Sequence, residues 1–259
     1  MNIVNLFSHN SDGSVDNPNI IEKEAGPFTI IERRECKSPT IESAVNLYFF
    51  NKLGGRVRQL FCNASEGIVL QNGAMQAIVG DVNVTTGIKG VGDLIRQGIR
   101  GKASGEAVIN PHYHGRGYVI TEPTIKYLIP LNLEQFGGSA VLEDGYFYAC
   151  EEAIQMKTVS RKTISSMAMG NEGLFNLQLA GKGKFILESE VAPEDLVLVY
   201  LNNETLKLDG SMAIAWSGDL RFTVGKSSST LIGSAVNGEG LVNIYEGTGL
   251  VIYKALSRY

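Results

Sequence analysis

Residues 238–254 read GEGLVNIYEGTGLVIYK, and this stretch decides the fold because its pattern occurs twice earlier in the chain. The earlier copies are NEGLFNLQLAGKGKFILE at 171–188 and GEAVINPHYHGRGYVITE at 105–122. Each copy has an Asn, a short polar stretch, a Gly-x-Gly pair and an apolar run. The first glycines of the pairs, Gly115, Gly181 and Gly247, are spaced 66 residues apart both times. Units this small cannot bury their own apolar faces, so the repeat predicts three units packed around one axis.

A second motif alternates with the first and marks tight turns between strands. It reads VLQNGAMQA at 69–77, VLEDGYFYA at 141–149 and LKLDGSMAI at 206–214. Asn-Gly and Asp-Gly favour such turns because both residues tolerate positive φ. Short runs rich in β-branched and aromatic residues flank both motifs, as is typical of strands. We therefore predict an all-β chain with a pseudo-threefold repeat of sandwich-like or barrel-like lobes.

The two motifs also suggest how the chain is divided. Residues 1–25 are polar and precede the first motif, so we expect a flexible N-terminal extension there. The remaining residues, 26–259, form a single β domain in this interpretation. Its three lobes cover approximately 26–104, 105–172 and 173–259.

One segment has helical rather than strand-like periodicity. Residues 91–102, VGDLIRQGIRGK, lie in a Gly-rich insert of the first lobe and predict one short helix. Its candidate interface residues are Leu94, Ile95 and Ile99 on the apolar stripe, with Arg96 and Arg100 beside it. So short a helix is marginal alone. It would pack on its own β body, at a subunit interface, or against an anionic membrane surface.

Composition excludes several classes of protein. The net charge is −4 and 44% of the residues are apolar, which argues against a disordered chain and against a broad nucleic-acid surface. The three cysteines form no CxxC pair, so neither a disulfide framework nor a zinc knuckle is expected. A secretory signal or a transit peptide requires basic residues near the N-terminus, but no Lys or Arg precedes Lys23. We therefore expect a cytoplasmic protein.

These motifs carry a family resemblance. The GAM at 73–75, the Gly-rich insert, the repeated Gly-x-Gly and the closing SAVNGEGLVNIYEGTGLVIY resemble the altered inheritance of mitochondria protein twenty-four family. The resemblance implies a β fold like the tryptophan RNA-binding attenuation protein, often assembled as a homotrimer, and implies no enzymatic reaction. An RNA reader of that type needs a repeated cation. The residues between the paired glycines are Arg116, Lys182 and Thr248, so RNA binding is not expected.

A metal site is one alternative that the residues leave open. His112 and His114 form the only His-x-His, and alternation along a strand would place both rings on one face. A metal-binding barrel also needs a carboxylate and a third His, and the next Glu, Glu122, is eight residues further on. The other interpretation is a pair of exposed histidines at the start of a strand.

A ligand site between the lobes is a second alternative. The repeated Asn110, Asn176 and Asn243 would either ring an axis as a polar pocket or cap backbone groups at a bend. Glu122 and Glu188 occupy matching positions in two lobes, with Lys254 in the third. Such a set would bind a ligand near the axis or be solvated at the strand ends.

The sequence therefore favours a non-enzymatic scaffold or interaction protein that forms a homo-oligomeric β assembly, with a trimer favoured. A binding module for a small ligand or anion is the first alternative, and a metal-dependent enzyme using His112 and His114 is the second. No cofactor is expected, nucleic acid is not an expected partner, and the protein partner is left open. Contact with a membrane surface is the less favoured alternative to self-assembly.

Overall fold

The computed structural model describes residues 3–10, 13–38, 40–86, 110–160, 175–209, 212–226 and 241–255. Within these residues the chain forms two antiparallel β-sheets, one α-helix, and short 3-10 turns at Leu133–Phe136 and Pro193–Asp195. This confirms the all-β prediction. The pseudo-threefold arrangement of lobes stays a prediction.

The first sheet contains nine strands. They are β1 (Ile20–Ala25), β2 (Phe28–Arg33), β3 (Val57–Asn63), β4 (Ile68–Leu70), β5 (Met75–Thr85), β6 (His112–Thr121), β7 (Tyr127–Asn132), β9 (Phe147–Glu151) and β12 (Lys184–Ser189). Their order is β1-β2-β3-β6-β4-β9-β12-β7, and β5 pairs with β6. The sheet thus brings strands from distant parts of the chain side by side.

The second sheet contains seven strands. They are β8 (Ser139–Leu142), β10 (Gln155–Ser160), β11 (Phe175–Ala180), β13 (Leu196–Asp209), β14 (Ala213–Ser217), β15 (Arg221–Lys226) and β16 (Leu241–Lys254). Their order is β10-β11-β8-β14-β16-β13, and β15 pairs with β16. Because β13 is last in this order, its outer edge has no partner among the described residues.

The main core lies between the two sheets. Phe185 and Leu187 of the first sheet pack with Leu142 and Leu179 of the second, and all four are fully buried. Two further clusters each belong mainly to one sheet. Trp216, the only tryptophan, is buried in the cluster of the second sheet, with its ring centroid 5.4 Å from that of Tyr245.

Part of the N-terminal segment that was expected to be a flexible extension, residues 20–25, belongs to the first sheet. Residues 20–25 form β1, which pairs with β2 over six positions. Leu6 and Ile20 are buried in a small cluster with Ile31 of β2. The prediction was wrong for this segment because a few apolar residues, spaced far apart, reach one sheet face.

The α-helix of the described residues is one that the sequence analysis did not predict. Helix α1 covers Ile41–Lys52 in the connection between β2 and β3, whereas the helix expected at 91–102 lies outside the described residues. Thr40 caps the start of α1, because its side chain accepts a hydrogen bond from the Ser43 N–H at 3.2 Å. The chain leaves the helix at Gly54, which has a φ of +73°.

The paired glycines occur where strands approach closely. Gly115 of β6 has a φ of +142°, and a Cβ at this position would clash with the Asp81 carbonyl oxygen of β5. At the second pair, the chain leaves β11 of one sheet and enters β12 of the other. These glycines therefore serve strand crossing and bending, without any need for a phosphate ligand.

Candidate functional site

The His-x-His pair acquires a carboxylate that the sequence did not reveal. His112 and His114 lie on β6 with Glu152 between them, at 3.0 Å from His112 Nδ1 to Oε1 and 3.5 Å from His114 Nδ1 to Oε2. Glu152 follows β9, which is next to β4, and β4 is next to β6 in the sheet. Gly67 faces Glu152 and its missing side chain leaves room for the carboxylate. Sheet order, not sequence spacing, assembles this trio.

The trio is a partly exposed polar contact. The side chains of His112, His114 and Glu152 are 37%, 64% and 34% exposed. At such exposure each pair contributes on the order of 1 kcal/mol or less. Among the described residues, no group of three His, Cys, Asp or Glu side chains is arranged to hold a metal ion. A metal role for the two histidines therefore stays a prediction.

The repeated asparagines are all buried, but two of them are well separated. Asn176 on β11 and Asn243 on β16 have β8 and β14 between them, which places their strands roughly 14 Å apart. The Asn176 amide donates to the Leu142 carbonyl oxygen at 2.9 Å, as a backbone cap would. Asn110 precedes β6, and neither polar atom of its buried side chain has a hydrogen-bond partner. Asn176 and Asn243 are thus not parts of one pocket.

The two repeated glutamates differ in their surroundings. The Glu188 carboxylate accepts hydrogen bonds from the Thr124 hydroxyl at 2.8 Å and the Lys126 ammonium at 3.0 Å, so it fastens β12 to the segment before β7. Glu122 is exposed, and its carboxylate accepts a long hydrogen bond from the Gln76 side-chain amide at 3.4 Å. Lys254, the third position, has its Nζ 5.9 Å from the centre of the Tyr146 ring. Glu188 is therefore committed to a structural contact.

Burial favours the neutral forms of two cysteines and a tyrosine in the first sheet. Burial raises the pKa of the Cys62 and Cys150 thiols far above their ordinary range. Burial also raises the pKa of Tyr148 to about 12, and the nearby Glu188 and Glu122 add smaller increases that the Thr121 hydrogen bond partly offsets. An activated nucleophile needs the opposite shift. The described residues therefore show clear pKa shifts only in the direction of inert groups.

The interface residues predicted from the sequence, Leu94, Ile95, Arg96, Ile99 and Arg100, lie outside the described residues. The described part of the chain instead exposes two other apolar surfaces. One is the outer face of α1, which consists of Ile41, Val45, Tyr48 and Phe49, each more than half exposed. The other is the outer edge of β13, with Leu198 and Tyr200. None of the described helices is long and apolar enough to cross a membrane.

Sequence reasoning missed α1 although its end signals are present. Thr40 precedes the first helical residue, Lys52 lies in the last turn, and two glycines follow at 54 and 55. These are ordinary start and stop signals of a helix. Ile41, Val45, Tyr48 and Phe49 share one face of α1, but Leu47 and Phe50 lie on other sides, so the amphipathic periodicity is weak.

The two antiparallel sheets, with polar clusters that make structural contacts between strands, define a class of all-β protein. The chain belongs to the Mitochondrial biogenesis AIM24 family, whose model matches residues 50–256. This confirms the resemblance inferred from the Gly-x-Gly and Asn-Gly motifs. Most of α1, together with β1 and β2, precedes the matched residues.

Comparison with solved structures supports the fold. A Streptococcus pyogenes protein, solved by X-ray crystallography as a structural genomics target, superposes with a TM-score of 0.57 at 23% sequence identity. The match covers 78% of this chain and 89% of the streptococcal chain. At this identity the likeness shows a shared fold only. No protein of curated function matches the chain significantly.

Proposed function

We propose that the protein is a non-enzymatic scaffold of the cytoplasm that assembles with copies of itself, with a homotrimer favoured. The observation that carries this proposal is the uncovered outer edge of β13. This strand is 14 residues long and pairs on one side only among the described strands. A long strand edge with free N–H and C=O groups is a template for pairing with another chain.

Two apolar side chains of β13 extend the apolar sheet face of the main core beyond its buried part. Leu198 and Tyr200 lie opposite Ile252 and Leu250 of β16. The two residues on β16 are at most 2% exposed, whereas Leu198 is 43% and Tyr200 is 65% exposed. Residues directly opposite in an antiparallel pair share one sheet face. The apolar face therefore extends beyond the part that this chain covers, and a neighbouring copy would complete it.

Native mass spectrometry and sedimentation of the full chain test the proposal. We expect a mass of three times 28.0 kDa, or a multiple of that trimer mass where trimers associate further. The double variant Leu198→Lys/Tyr200→Lys should separate the assembly, because it places charges in an apolar contact. Ser65→Lys is the control, since Ser65 is exposed in the turn between β3 and β4 of the first sheet, and it should leave the mass unchanged. A single-copy mass for the unmodified protein at micromolar concentration contradicts the proposal.

Asn110 supports a second candidate, a binding module for a small polar ligand or anion. Its amide nitrogen and oxygen are buried without hydrogen-bond partners, and such groups carry a desolvation cost that a polar ligand would offset. The same mass measurement tests this function. A reproducible extra mass per copy, lost in Asn110→Leu, would support a bound ligand over a scaffold alone.

A further inference from the structure

Helix α1 presents an apolar face that nothing in the described structure covers. No residue of α1 is buried. Ile41 is 92% exposed, Phe49 is 59% exposed, and Leu53, the residue after the helix, is 86% exposed. Ile41, Val45, Tyr48 and Phe49 recur at the spacing of one helix face. The helix therefore has an apolar face of the kind that usually packs against another element, but this face is exposed.

The hydrogen bonds and ring contacts described for the helix join it to its own flanking segments. The Asn51 side chain bonds to both backbone groups of Cys36, accepting at 3.4 Å and donating at 3.2 Å. Phe50 covers Gly55, whose added Cβ would lie 2.7 Å from the ring Cζ. Helices of 12 residues are marginal in water, and most gain their stability from packing of an apolar face. A partner that covers the outer face would supply this missing stability.

We infer that α1 packs antiparallel against α1 of a second copy of this chain, about a twofold axis at the level of Leu47. The inference deepens the proposed function, since it names a contact surface for self-assembly and would double whatever number of copies the β13 edges join. A twofold contact must be self-complementary, so each residue on one helix needs a suitable partner on the other. The residues of α1 meet this requirement.

The apolar residues match in a single register. When the helices are antiparallel about the level of Leu47, Ile41 of one copy faces Leu53 of the other, and Val45 faces Phe49. The two most exposed apolar residues of the segment, Ile41 and Leu53, are thereby covered together. Tyr48 lies near the centre, beside the axis. Each pair occurs twice because of the symmetry.

The charges match in the same register. Glu42 in the first turn lies at the level of Lys52 in the last turn of the second copy, so an opposite-charge pair forms at each end of the contact. Lys52 itself lies on the apolar face, with its Nζ 5.6 Å from the centre of the Tyr48 ring of its own helix. A parallel pairing would place like charges together instead, with Glu42 against Glu42 and Lys52 against Lys52. The charge pattern therefore selects the antiparallel orientation.

The area is large enough for a specific contact. Five apolar side chains, of which two are aromatic, would bury roughly 500 Å² on each copy. The total of about 1,000 Å² is near the lower bound for specific interfaces, and pairing of β13 edges would add to it. The alternative occupant, an anionic membrane surface, does not require the matched register, so the experiment separates the two.

The test is the native mass of the full chain and of charge-reversed variants. The wild-type mass should be twice that of Val45→Asp, which places two carboxylates in the stripe. Glu42→Lys and Lys52→Glu should each raise the dissociation constant about tenfold, since each creates two like-charge contacts per helix pair. The double variant Glu42→Lys/Lys52→Glu should return to within about threefold of the wild-type value. Glu35→Lys, an exposed reversal outside α1, is the control.

The double variant separates this proposal from a simple effect on the helix. In an isolated helix, Glu42 and Lys52 interact favourably with the helix dipole, so reversing both charges would be worse than reversing one. A double variant weaker than either single variant, or equal masses for Val45→Asp and wild type, overturns the inference. Vesicle flotation with phosphatidylcholine and phosphatidylglycerol that depends on Val45, with mass unchanged, overturns it in favour of a membrane.

The outcomes also separate this inference from the proposed function. If wild type and Val45→Asp share one multimeric mass that falls with Leu198→Lys/Tyr200→Lys, the α1 pairing is wrong and the scaffold stands. If Val45→Asp halves the mass and the β13 variant changes nothing, α1 pairing holds and the β13 interface is wrong. A single-copy wild type contradicts both.

Discussion

Helix α1 and the interior between the two sheets use similar side chains in opposite ways. Phe185 is fully buried between the sheets, whereas Phe49, on the outer face of α1, is 59% exposed. The first supports the fold directly by removing apolar area from water. The second adds nothing comparable within one chain. The comparison teaches that the stability of this fold resides in the sheets and that the exposed face of α1 contributes little to it within one chain.

The largest expected difference comes from removing a phenylalanine in each region. Phe185→Ala should lower the free energy of unfolding by about 4 kcal/mol, because it leaves a cavity in the main core. Phe49→Ala should lower it by less than about 1 kcal/mol at low protein concentration. Urea unfolding monitored by circular dichroism measures both. Equal losses at low concentration would show that α1 is part of the folded core.

Protein concentration sharpens the same comparison. A contact between copies adds stability that rises with concentration, whereas contacts within one chain do not. The loss caused by Phe49→Ala should therefore grow as concentration increases, while the loss caused by Phe185→Ala stays constant.

The next largest expected difference is between the losses of stability caused by replacing a glycine in the first sheet and a glycine after α1. Gly115→Ala should cost about 2–3 kcal/mol, because its φ is +142° and its Cβ would clash with the Asp81 backbone. Gly54→Ala should cost only about 1 kcal/mol, since its φ of +73° is left-handed but no atom lies within 4 Å of an added Cβ. Thermal unfolding compares the two variants. A smaller loss for Gly115→Ala would contradict the close approach of β5 and β6.

The cysteines give a contrast that leaves the stability of the protein unchanged and is measured as a labelling rate. Burial raises the pKa of Cys62 and Cys150 in the sheets, whereas Cys36 beside α1 is partly exposed. Because the thiolate is the reactive form, Ellman's reagent at pH 8 should label Cys36 at least about a hundredfold faster. Denatured protein should release three equivalents, and native Cys36→Ser should react slowly throughout. Fast labelling of native Cys36→Ser would show that a sheet thiol is accessible.

Much of the fold was predictable because strands and turns have signals in the local sequence. The Gly-x-Gly and Asn-Gly motifs mark bends and turns through backbone conformation alone, and the β-branched runs between them favour extended chain. The same motifs supported the family resemblance that the match over residues 50–256 confirms. The segment 20–25 was mispredicted, because its place in the sheet depends on pairing with β2.

The candidate site was less predictable, because it depends on strand order. Glu152 is 40 residues from His112, and only the succession β6-β4-β9 brings their side chains together. The repeat suggested that Glu188 could bind a ligand, yet its carboxylate already accepts hydrogen bonds from Lys126 and Thr124. No local pattern encodes such contacts.

By itself, the sequence determined the β class, the turn positions and the family, because these follow from backbone preferences of neighbouring residues. Only the tertiary structure decided which apolar residues are covered. Val45 and Phe49 on α1 look no different in sequence from Leu142 or Phe185, yet they lie outside the core. Burial depends on contacts between distant segments, and packing of the sheets leaves α1 and the edge of β13 for another copy in the assembly we propose.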